Sequence, residues 1–276
     1  MQRDLMNNMA PVSGISSIGF PAASPALETF GLKFSSGASH VSRTIMSEEL
    51  GAMLTNVPMG SSAADYREAI LQQNVLGKTT DSTRQKSLRH LHELYALDEA
   101  TPIFNLLRKL HAMDSASLPL LALQVAWARD PVFRATTPAI IDASEDERVE
   151  TVSLVRALEA TFPNRYSETI QNKIGRNTAA SWTQSGHLAG RTKKIRRRIK
   201  PTAVAVAMAF FLGNISGYHG VAVFSNPWCR LLDLNYDRAK AMGFEAHRAG
   251  PLNLRAVGEV VELSFPLLAE FQGQPS

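Results

Sequence analysis

Several groups of side chains in this sequence are of types that do chemistry. Ser185 and His187 stand two apart in "SGHLAG". They offer a nucleophile and a base, but two residues do not make a triad. His90 and His92 are also two apart, which sends them to different sides of a helix and makes them a poor metal pair. "SEDERVETVSLVRALEATF" opens with clustered acids. At the start of a helix such acids complement the dipole, and that reading replaces a metal site. Cys229 is the only cysteine. It excludes an intramolecular disulfide and a Cys-based zinc site, suits a reducing cytoplasm, and reads as a small core residue. The chain has no Gly-x-x-x-x-Gly-Lys-Ser/Thr loop, no Gly-x-Gly-x-x-Gly and no Gly-x-Ser-x-Gly elbow. No cofactor and no enzyme activity are therefore expected. A nuclease whose carboxylates converge only in the fold stays open.

The remaining grouping is cationic. "RTKKIRRRIK" over 191–200 holds seven Lys or Arg: Arg191, Lys193, Lys194, Arg196, Arg197, Arg198 and Lys200. The whole chain carries 29 basic and 25 acidic residues, net +4. Without those seven the balance is 22 against 25, so the basicity is local. Residues 165–200 contain ten Lys or Arg and one acid, Glu168. Solvated faces usually mix signs. A one-sign cluster is the footprint expected of contact with a phosphate backbone. The bland alternative is a solvated basic loop.

An apolar run, 203–213, follows at once. It covers about half of the roughly 20 residues that a membrane-spanning helix needs, so it reads as a buried core helix. The first 26 residues lack the sustained apolar stretch of a secretory signal and read as a flexible tail. A cytoplasmic protein with no membrane anchor is expected.

The elements that must position the cations are mostly helical. Residues 39–54 place Val41, Ile45, Leu50 and Leu54 at helical spacing. Ser62, and Thr80 or Asp81, are N-cap candidates for the next two helices, the second with Leu88, Leu91, Leu94 and Tyr95 on its apolar face. "TPIFNLLRKLHAM" and "SLPLLALQVAWARD" follow, the second nearly all apolar. Ser144 is taken as N-cap of the acidic-start helix. Ser167 caps a helix with Ile170, Ile174 and Trp182, and Gly186 ends it.

"HLAGRTKKIRRRIKP" then has a Gly-centred turn and forms a short hairpin or an extended arm. Helix followed by basic hairpin is the order of a winged helix, in which the helix enters the major groove and the wing lies along phosphates. Asn172, Lys173, Arg176 and Asn177 on that helix suit bases or phosphates. The chain after Pro201 repeats the order, with three helices and then "LRAVGEVVELSF" as a hairpin bearing Glu259 and Glu262. An acidic wing suits a protein partner or a second copy of the chain.

The expected fold is mainly α, with winged-helix-like elements and one or two short β-hairpins. The expected divisions are a tail over 1–30, a helical domain over 31–143, a DNA-binding helical domain over 144–200, a winged-helix-like unit over 201–268 and a tail over 269–276.

Two stretches, "YREAILQQNVLGKTTDSTRQKSLRHLHELY" and "SETIQNKIGRNTAASWTQSGHLAGRTKKIRRRIKP", together resemble the BrxA family of BREX phage-defence systems. The resemblance spans 32–201 and rests on the succession of helices, the "STRQKSLRHL" opening, and the helix that ends in small-Gly-x-Leu before a basic arm. It implies a cytoplasmic, mostly helical, non-enzymatic protein that binds double-stranded DNA beside other defence proteins, in a system that separates methylated host DNA from phage DNA. It carries over no single contact residue. The chain is long for that family. The competing reading is a helical adaptor that docks acidic partner proteins through the basic arm.

Overall fold

The computed structural model describes residues 19–35, 39–258 and 260–266. The fold is mainly α, with thirteen α-helices and two small antiparallel sheets among these residues. No helix among them is long and apolar enough to cross a membrane.

The core is organised around α6, Leu118–Arg129. Its sequence is apolar on every face, which is the pattern of a helix surrounded by others. Accordingly α2 (Ser47–Asn56), α4 (Asp81–Tyr95), α5 (Pro102–Met113) and α11 (Ala203–Ile215) all pack on it. The remaining helices of the first half are α1 (Pro25–Phe30) and α3 (Ala63–Leu71). Ser62 makes a full capping box at α3, and Thr80 caps α4.

Two local expectations change. The helix expected from residue 39 is a 3-10 turn, Ser39–Val41, and α2 starts only at Ser47, because Met46 sits at φ 53 in the left-handed region. Ser144 does not cap a helix. Its amide is taken by the Glu147 carboxylate, 2.8 Å, and the chain runs extended as β1 (Arg148–Val149) before α9 (Thr151–Thr161) begins.

The apolar run after the basic arm is α11, buried from Val204 to Gly213. It contacts α5 and α6 on one side and α12 (Pro227–Leu231) and α13 (Tyr236–Ala249) on the other. Trp127 of α6 meets Trp228 of α12 edge to face at 5.5 Å, and Phe20 packs against both rings. One hydrophobic cluster therefore extends from Leu27 to Phe265. The boundaries expected near 143 and 200 do not separate cores. The segment expected as a tail over 1–30 contributes Phe20, Leu27 and Phe30 to the packing, while 1–18 and 269–276 lie outside the described residues. The final hairpin is β4 (Asn253–Val257) with β5 (Val260–Ser264), turning through Gly258 at φ 60.

Candidate nucleic-acid interface

The basic run sits in a five-element motif. After β1 come α9, then α10 (Glu168–Gln184), β2 (Leu188–Ala189) and β3 (Lys194–Arg196). Before β1 come the short α7 (Pro131–Ala135) and α8 (Pro138–Ile141), which pack on α9. The sheet order is β1-β3-β2, all antiparallel: Arg148 pairs with Ile195, and Leu188 pairs with Arg196. Strand, two helices and a hairpin whose second strand returns to the first strand is winged-helix topology. The helix and the hairpin are expected from the sequence; β1 is not.

Each part has a local reason. Gly175 lets α9 and α10 approach, since a Cβ there would lie 2.7 Å from the Thr151 side chain. Gly190 makes the wing turn at φ 95, where a Cβ would meet the Lys193 carbonyl at 2.2 Å. Only glycine fits that turn. Gly186, at φ 84, closes the end of α10, with Ser185 as the last half-helical residue.

The inner face of α10 is pinned to the core. Trp182 donates to Thr136 Oγ1 at 3.0 Å and packs on Phe133. Ser181 Oγ lies 2.9 Å from His40 Nε2, and His40 Nδ1 lies 2.7 Å from Asp130 Oδ2. This is the Ser-His-Asp hydrogen-bond order of a hydrolase. All three residues are buried, however, and Ser181 Oγ also accepts from the Ile45 amide and donates to the Asn177 carbonyl. The triad-like chain ties α10 to Ser39–Val41 and to the end of α6. Its members lie 141 residues apart at the extreme, and no local pattern announced them.

The outer face of α10 carries Thr169, Asn172, Lys173, Arg176, Ala180 and Thr183. Their spacing of three and four residues places them on one stripe. Asn172, Lys173 and Arg176 are exposed. Asn177 is not part of that stripe, because its side-chain amide donates to the His40 carbonyl at 2.9 Å. At the lower end of the stripe Lys194 Nζ donates to Thr183 Oγ1 at 2.9 Å and to the Gly190 carbonyl at 2.8 Å. Burial lowers the Lys194 pKa from its ordinary value. The wing residues Arg191 and Lys193 are exposed, as is Lys200.

The rest of the run has different work. Arg196 is fully buried. Its guanidinium donates to the Ile140 carbonyl at 2.7 Å, to the Arg197 carbonyl and to the Asp233 carboxylate. The expected phosphate contact is corrected: Arg196 faces inward because Lys194 and Arg196 alternate with Ile195 and Arg197 across the strand. Arg197 is exposed and paired with Asp146. Arg198 donates to Asp233 Oδ1 at 2.8 Å and remains partly open.

Asp233 is the residue that sequence reasoning missed. It lies in the turn between α12 and α13 at φ 57, and it accepts from Arg196, from Arg198 and from the Ile199 amide at 3.1 Å. Burial opposes its ionisation, but the Arg196 hydrogen bond and charge hold its carboxyl below the usual range. Beside it His187 Nε2 donates to the Leu231 carbonyl at 2.8 Å, with Ser185 Oγ 2.9 Å from Nδ1. Burial pushes the His187 pKa down to about 4. So Ser185 and His187 join the motif to α12 rather than forming a reactive pair.

No family model and no curated protein matches this chain. Among the described residues no group of three His, Cys, Asp or Glu is arranged to hold a metal ion. Cys229 is buried, and its thiol pKa is pushed well up by that burial.

Proposed function

We propose that this protein binds double-stranded DNA through the outer stripe of α10 and the wing between β2 and β3, as a non-enzymatic component of a BREX-type phage-defence system. The observation that carries the DNA reading is the Lys194–Thr183 hydrogen bond. It sets the basic wing against the exposed helix stripe, so Asn172, Lys173, Arg176, Arg191, Lys193 and Lys194 form one continuous cationic and amide-bearing face. In this reading α10 lies in the major groove and the wing follows phosphates. Arg197 and Lys200 extend the positive field from the end of β3. Arg198 contributes charge while held by Asp233. The place in a defence system is supported by the BrxA resemblance of residues 32–201 alone.

The test is fluorescence anisotropy on unrelated duplexes, with single-stranded controls, at about 50 and about 200 mM salt. Affinity for a protein making several phosphate contacts falls by orders of magnitude over that range. Arg191→Ala with Lys193→Ala should weaken every duplex by a similar factor, since phosphate contacts carry little sequence information. Unchanged affinity in the folded double variant removes the DNA reading and leaves the adaptor. Phage plating on cells carrying the complete defence system, with and without this chain, tests the assignment to defence.

A further inference from the structure

A cleft opens beside Asp233. It has a volume of about 370 Å³ and sits between the end of β3, the 3-10 segment Gly220–Ser225 and the turn from α12 into α13. Volumes of this order are typical of sites for small organic ligands. Its lining divides into two chemistries. Ile141, Phe224, Leu234 and Tyr236 give an apolar wall, and Arg198 and Arg230 give two guanidiniums.

The charge of the cleft is positive. Asp233 also lines it, but that carboxylate is already taken by Arg196, Arg198 and the Ile199 amide. Arg230, half-buried on α12, meets no acceptor among the described residues. A half-buried guanidinium without an acceptor is suited to bidentate recognition of a phosphate; Arg198, whose guanidinium already donates to Asp233 and to the Ala143 carbonyl, lines the same cleft and adds positive charge. Tyr236 offers the other half of the site. It is 40% exposed, and Phe224 holds its ring edge to face at 5.5 Å, which leaves a ring face free for stacking.

We propose that this cleft binds a nucleotide, with the phosphate between Arg198 and Arg230 and the base against Tyr236. The site shares only Arg198 with the proposed duplex-binding surface and does not rest on the duplex-binding reading. A nucleotide here comes either free from solution or as the end of a nucleic-acid strand, and both present the same phosphate and base.

The experiment is titration calorimetry of the full chain with adenosine monophosphate, with inorganic phosphate, and with a short 5′-phosphorylated single strand. Saturable one-site binding of the monophosphate, tighter than inorganic phosphate, is expected. Arg230→Ala should lower it at least tenfold, Arg230→Lys less, and Tyr236→Ala should lower monophosphate binding while leaving inorganic phosphate unchanged. If only the phosphorylated strand binds, and Arg230→Ala weakens it, the source is a strand end. If no probe binds saturably, or if Arg230→Ala binds as the parent does while remaining folded, the proposal falls. Duplex affinity measured on the same Arg230→Ala protein should be unchanged, which keeps this result distinct from the wing experiment.

Discussion

Lys194 Nζ sits 2.9 Å from Thr183 Oγ1, so the first residue of the returning wing strand is hydrogen-bonded to the last turn of α10. This contact fixes the wing relative to the helix. Lys194→Met keeps the apolar stem and removes the link and one charge. Duplex affinity should drop, and the salt slope should fall by roughly 0.9 if one phosphate contact is lost. Thr183→Val leaves the charge in place. It should weaken binding with an unchanged slope, read in the same anisotropy titration.

Asn172 and Arg176 lie on the outer stripe of α10, the face that the proposed DNA reading places in the major groove. Replacing both by Ala should reduce discrimination between preferred and unrelated duplexes more than the wing substitutions do. Each good bidentate base contact is worth about 1–3 kcal/mol of discrimination. Equal loss on all sequences assigns α10 a positioning role only.

Arg196 is expected to matter for stability and not for phosphate contact. Arg196→Ala removes the buried partner of Asp233 and frees the Ile140 carbonyl. Breaking a buried pair from one side costs about 3–5 kcal/mol. Exposed substitutions such as Arg191→Ala shift stability by only about 0.5 kcal/mol either way. Urea unfolding of the two variants side by side checks the contrast.

His187 makes stability depend on pH. Burial lowers its pKa from 6.5 to about 4 in the folded chain. Between those values the unfolded chain binds the extra proton, so stability rises with pH through this window and is lost as pH falls. The loss between about pH 6.5 and pH 4 is on the order of 3 kcal/mol. His90, His92 and His111 are lowered by burial as well and add slope of the same sign. His187→Gln keeps a donor for the Leu231 carbonyl, and denaturation midpoints across this range should flatten by His187's share.

A chain ending at Lys200 should aggregate. Removing α11 uncovers the faces of α5 and α6 on which it packs, and strips Trp228 from Trp127. Burial of each large apolar side chain is worth about 1.5–3 kcal/mol, so several such losses exceed the stability of a typical domain. Size-exclusion elution of a soluble, folded fragment would contradict the shared packing of α5, α6 and α11.

The sequence by itself determined the helical class, because periodicity and caps are local. Ser62, Thr80 and Gly186 mark helix ends from their own chemistry, and the apolar α6 and α11 are legible as buried. It also determined that the cations are concentrated in one stretch, and that a glycine turn divides them. What only the tertiary structure decided is which of those cations face solvent. Arg196 and Arg197 are neighbours of the same type, yet one is buried on Asp233 and the other is exposed beside Asp146, because a strand alternates its faces and the partner of each comes from a distant segment. β1 was illegible for the same reason. Two residues carry no period, and Arg148–Val149 is a strand only because β3 returns beside it. The union of the expected domains was hidden too, since the contact of Trp127 with Trp228 spans a hundred residues and a hydrophobic surface has no sequence mark of what will cover it.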